Sequence, residues 1–233
     1  MRSAIVLALL ALTAVARADS CEPEDLHEPR ALEAALVRCE EVARVATETA
    51  VRYAALCRGA AYCFKLSEPE GDRSSELSKR GLELAQRGRD LVPGRVEAHY
   101  LYALCLGIYL RENRLKGITR VSDLIAAAKK AVEVDETYDH GGPHRLLARL
   151  YSEAPRVIGP GDHDAAKKHL ARLLAVAGDD EENKLTAVLV YHEIGDDNSA
   201  RVYLRRLDPE RGRTECLKKE LRSEKARLEQ ELK

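Results

Sequence analysis

Apolar residues along this chain recur at intervals of three and four, not two, so the pattern is helical almost throughout. Leu217, Leu221, Leu228 and Leu232 mark one such stripe, amid charges on the last helix. The periodicity and its interruptions predict helices at 29–47, 49–66, 74–91, 96–112, 118–134, 143–153, 163–176, 181–194, 197–207 and 213–231. The breaks follow turn chemistry: Ser67-Glu68-Pro69-Glu70-Gly71-Asp72, Pro93-Gly94, Gly141-Gly142-Pro143 and Gly159-Pro160-Gly161. Ala, Leu, Arg and Glu dominate, and strand formers never alternate for long, so the fold class is all-α.

Two internal echoes order these helices. Ala55-Leu56-Cys57-Arg58-Gly59 returns as Ala103-Leu104-Cys105-Leu106-Gly107, and Gly161-Asp162-His163-Asp164-Ala165-Ala166 returns as Gly195-Asp196-Asp197-Asn198-Ser199-Ala200. Small residues at repeated places mark points where helix backbones approach closely. Gly59, Gly107, Ala148 and Val188 fall at such points in four successive first helices. Ala166 and Ala200 do so in second helices. The spacing resembles the tetratricopeptide repeat. That resemblance implies a right-handed superhelical array of about four helical hairpins with a concave groove, closed by a charged capping helix at 213–233. The repeat domain proper would span 29–212. Between crossing residues only the fourth repeat (Val188 to Ala200) has the consensus spacing. The other three are longer, which predicts expanded turns on one face.

A narrower resemblance rests on Asp135-Glu136-Thr137-Tyr138, Gly141-Gly142-Pro143 and Gly159-Pro160-Gly161-Asp162 ahead of an Ala-rich helix. This progression is similar to that of the T-component family of TRAP transporters, over residues 49–207 and best at 120–175. Asp135-Glu136 replaces that family's Asp-Pro, and Gly-Pro-Gly-Asp its Gly-Gly-Asp. The resemblance implies a periplasmic, non-catalytic binding protein. Its partner would be a transporter solute-binding protein, and its groove would hold a small amphipathic ligand.

The N-terminus agrees with export. Arg2 precedes an apolar run from Ala4 to Ala16, and Ala16-Arg17-Ala18 is a small-x-small cleavage site. Residues 1–18 therefore read as a signal peptide, with 19–28 as a linker. A lipid anchor through Cys21 is the lesser alternative, because Asp19 fits a lipobox poorly. The chain has 38 basic and 39 acidic residues, a balance that gives nucleic acid no basic face to bind. All six cysteines follow the leader, so an oxidising compartment could pair them. Cys57 and Cys105 should point in parallel and not bond. Cys57 and Cys63 lie on different faces of one helix, so Cys39 with Cys57 or Cys63 is the favoured pairing.

In the repeat register, Leu56, Cys57, Phe64, Leu104, Cys105 and Ile108 form an apolar end of the groove. Arg145 and Arg149 form a basic middle that suits an acidic group, and His192 follows beyond. The competing reading is that an N-terminal helix or a partner chain covers the apolar end. Tyr62, Tyr151 and Tyr191 match the consensus aromatic and should pack within repeats, whereas Tyr100, Tyr102 and Tyr109 are off register and free to face a partner. His140 and His144 have helical spacing, but Gly141-Gly142-Pro143 intervenes, so no metal or other cofactor is expected. No catalytic motif is present. A general envelope scaffold is the alternative binding reading; a metal protein or enzyme built on the 139–164 loops is the alternative of a different class.

Overall fold

The computed structural model describes residues 28–68, 73–153 and 162–233, and of 114–119 the backbone alone. Residues 1–27, which hold the expected signal peptide, most of the expected linker and Cys21, lie outside the described residues, as do 69–72 and 154–161. Among the described residues ten α-helices follow one another: α1 Pro29–Val45, α2 Thr49–Ser67, α3 Ser74–Leu91, α4 Val96–Glu112, α5 Arg114–Val134, α6 Tyr138–Glu153, α7 His163–Ala177, α8 Glu181–Glu193, α9 Asp197–Arg206 and α10 Glu215–Glu231. A 3-10 turn, Pro209–Arg211, precedes α10. Among the described residues there is no strand.

Contacts gather into two compact units, divided between Asn113 and Arg114. In the first, α2 packs on α1, α3 and α4. α3 carries the residues that make this possible: Ser74, Ser78, Gly81, Ala85 and Gly88 are all buried, at helical spacing along one stripe. A Cβ on Gly81 would lie 2.6 Å from Cys105 Sγ and 2.8 Å from Cys63 Cβ, so only glycine fits between α2 and α4 there. At Gly88 the corresponding contact is 3.1 Å, to Ala98 Cβ. Tyr53 then ties α2 to α4. Its hydroxyl donates to Glu97 (3.2 Å) and accepts from the Ala98 N–H (3.3 Å).

In the second unit α6 pairs with α7 and α8 with α9, while α6 also lies along α8. Asp162, Asp180 and Asp196 each cap the helix that follows, accepting backbone N–H bonds from its first turn. Leu221, Leu228 and Leu232 seal a core with Leu185, Val188, Ala200, Leu204 and Leu207, so α10 closes this unit as a terminal cap.

Two expectations about the turns change. The extra residues of the second repeat form no loop: α4 ends at Glu112 and α5 already begins at Arg114, four residues earlier than predicted. Asn113 holds that corner, its amide donating to Ser75 Oγ and Tyr109 O, both at 2.8 Å. The start of α6 is irregular. Asp139, His140 and Gly141 have φ of 49°, 53° and 82°, and regular helix begins only at Gly142.

Candidate functional site

Several residues expected in a groove lie inside helix interfaces. Leu56, Cys57 and Cys105 are buried. Cys57 faces the stripe of α3 at Gly88, and Cys105 donates its thiol to Ala60 O at 3.6 Å. The reason is that α3 carries no bulk on that stripe, so neighbouring helices close over it and their cysteines fill the gap. Tyr100 and Tyr102 are likewise buried rather than partner-facing, with Arg89 stacked 4.3 Å over the Tyr102 ring. α1 packs on α2 and brings Leu36 and Cys39 against Gly59. By contrast, no described atom lies within 4 Å of a Cβ on Gly107, so that glycine marks no helix crossing among the described residues. It sits with half-buried Leu104 and Ile108 on one stripe of α4, and Phe64 is half-buried on α2.

The second unit places its polar residues around the irregular start of α6. Two non-glycine residues in left-handed conformation cost roughly 1–2 kcal/mol each, and a dense set of bonds offsets this. Asn183, fully buried on α8, donates its amide to His140 O (2.8 Å) and Ala177 O (2.9 Å). Its side-chain oxygen accepts from Arg145 (2.8 Å). Arg145 also bonds Asp139 (2.7 Å) and pairs with Glu182 (3.2 Å). Arg213 reaches in from the segment before α10 to Glu182 (2.6 Å), Asp180 (3.2 Å) and Asp139 (3.7 Å). Arg145 is therefore a structural cation among three partners and does not present its charge to a groove. Gly141 suits this turn through its φ of 82°, the left-handed region where glycine carries no penalty.

Beside this turn runs a second chain of polar contacts. Arg172 holds Glu136 with both guanidinium arms. His144 Nε2 donates to the same carboxylate at 3.2 Å, and His144 Nδ1 faces His169 Nδ1 at 2.9 Å. Because Glu136 accepts at Nε2, a neutral His144 offers a bare Nδ1 to the His169 N–H. Tyr151 stacks on His169 with ring planes 9° apart. Arg172 and His144 hold the Glu136 carboxyl down at about 2. Burial, then His144 and nearby lysines, depress His169 to about 4. Of the remaining expected residues, Arg149 pairs with Glu153 one turn on, and His192 Nδ1 meets Asp197 at 2.8 Å. Ala148, Val188, Ala166 and Ala200 are all buried.

Sequence reasoning missed Asn183, Glu136, His169 and Arg213. Their types are ordinary on a helix surface, and only folding brings Asn183 and Arg213 to the left-handed turn and Glu136 and His169 to His144. The fold defines a tetratricopeptide-like helical-repeat protein. A thermophilic TPR protein of Thermus thermophilus, TTC0263, has a similar structure, with a TM-score of 0.55 and 17% identity over 84% of this chain and 98% of that one. No curated protein matches the chain by sequence. The model of the TRAP transporter T-component family matches residues 31–194, and the chain belongs to that family. Among the described residues no helix is long and apolar enough to cross a membrane.

Proposed function

We propose that this protein is an exported accessory component of a TRAP transporter that binds the transporter's solute-binding protein. The observation that carries this reading is the family match over residues 31–194, which takes in helices of both units. The tetratricopeptide-like fold supports a protein partner, because such hairpins commonly present extended binding surfaces. The leader read in residues 1–18 supports export.

In the first unit the contact surface is the strip Leu104, Gly107 and Ile108 on α4 with Phe64 on α2. These side chains are half-buried, and Gly107 leaves room for an incoming group. An apolar or amphipathic contact suits it. The strip replaces the wider groove expected from sequence, whose cysteines and Arg145 are committed to the interior. Titration calorimetry of the full-length mature chain with the solute-binding protein tests both parts. A complex with the wild type, weakened at least tenfold by Leu104→Asp with Ile108→Asp at unchanged helicity, supports them. Absence of a wild-type complex overturns the partner. A wild-type complex that the double variant leaves intact overturns the strip.

A further inference from the structure

The first unit brings two thiols to one point. Cys63 on α2 and Cys105 on α4 converge on Gly81 of α3 from the two helices that flank it. The contacts at Gly81, 2.8 Å from Cys63 Cβ and 2.6 Å from Cys105 Sγ, put that sulfur and that β-carbon no more than about 5.5 Å apart, and a bridge requires the two β-carbons at about 3.5–4.5 Å. The Cys105 thiol donates to Ala60 O, on the same turn of α2 that ends at Cys63. Both residues are fully buried. Among the other described cysteines, Cys39 also comes near Cys63. Cys57 faces Gly88, seven residues further along α3, and Cys39 faces Gly59, one turn before Cys63. Cys216 is exposed on α10 in the second unit.

We infer that Cys63 and Cys105 are a disulfide-forming pair, closed during folding by exchange with a small disulfide such as oxidised glutathione. One thiolate attacks the donor, forming a mixed disulfide and releasing one glutathione thiolate. The second cysteine then attacks the mixed disulfide and releases the other. The protein gives up two electrons and two protons, and the donor becomes two thiols. The structure shows the reduced state. There, burial pushes the Cys63 thiol up to about 12 and raises Cys105 as well. Thiolate is the attacking species, so exchange is slow once the core has closed and the bridge forms before that. The bridge staples α2 to α4 across α3, at a point where α3 has no side chain to interpose. This pairing differs from the Cys39 pairing that helix order alone favours.

The test is peptide mapping of the full mature chain. Protein that is reduced and denatured, then refolded in a reduced/oxidised glutathione buffer, is alkylated and digested without reduction. A linked peptide pair containing Cys63 and Cys105 is expected. A bridge closing a loop of roughly forty residues should also raise the thermal midpoint by about 10 °C over the reduced protein, and Cys105→Ala should abolish that difference. Recovery of both cysteines as alkylated thiols overturns the inference, as does a bridge from either one to Cys39 or Cys57.

Discussion

The approach at Gly81 makes a sharp energetic prediction. In an exposed helix interior, Gly→Ala stabilises by about 0.8–1 kcal/mol through backbone entropy. At Gly81 the added methyl would stand 2.6 Å from Cys105 Sγ and 2.8 Å from Cys63 Cβ. The sulfur can rotate away, but a β-carbon is fixed to the backbone of α2. That helix must then retreat by several tenths of an ångström. Overpacking of this kind costs about 1–3 kcal/mol, so Gly81→Ala should come out destabilising by about 1–2 kcal/mol net. Gly107→Ala is the internal control: its methyl meets no described atom, and it should stabilise by about 1 kcal/mol. The two variants thus differ by about 2–3 kcal/mol, a factor of roughly 30–150 in the unfolding constant. Urea denaturation under reducing conditions, followed by circular dichroism, reads this directly. Adding Cys105→Ala to Gly81→Ala should recover part of the loss as a favourable coupling. A Gly81→Ala variant as stable as Gly107→Ala would refute the packing argument.

Further outcomes follow from the second unit. His169 titrates near 4 when folded and near 6.5 when unfolded. The unfolded chain therefore binds more protons in that window, and stability should fall as pH drops from about 6.5 to about 4; His169→Gln should flatten that limb in denaturation midpoints. Glu136, held at about 2, contributes stability that is lost between about 4.5 and 2, and Glu136→Gln should flatten the lower limb alone. Arg145→Ala leaves Asp139, Glu182 and buried Asn183 short of a partner and should cost about 3–5 kcal/mol. Arg149→Ala breaks one exposed pair and should stay within about 0.5 kcal/mol in the same urea titration. Leu228→Ala, at a fully buried site under the terminal helix, should cost about 2–5 kcal/mol.

The helices were legible because their apolar spacing and their Gly-Pro breaks point the same way. What was not legible was which side of a first helix turns inward. The doubled Ala-Leu-Cys-x-Gly suggests equal roles for its two glycines. Yet Gly59 has three side-chain atoms within 4 Å of its added Cβ, and Gly107 has none among the described atoms. That difference is set by α1 and α3, neighbours whose placement depends on the stripe Ser74, Ser78, Gly81, Ala85 and Gly88. Arg145 was misread for a related reason. A lone arginine on a repeat helix looks available until a left-handed turn brings Asp139 beside it and α8 supplies Asn183 and Glu182.

The reach of Arg213 also bears on how the chain can be shortened. A truncation ahead of this residue removes the terminal helix and, with it, the cation that faces Asp139, Asp180 and Glu182. The remaining body would expose both the Leu185–Leu207 face and a group of carboxylates that has lost one of its cations. Such a fragment should gain stability with added salt, which screens like charges over about 10 Å at 0.1 M. The intact chain, with its charges already matched, should be far less sensitive to ionic strength.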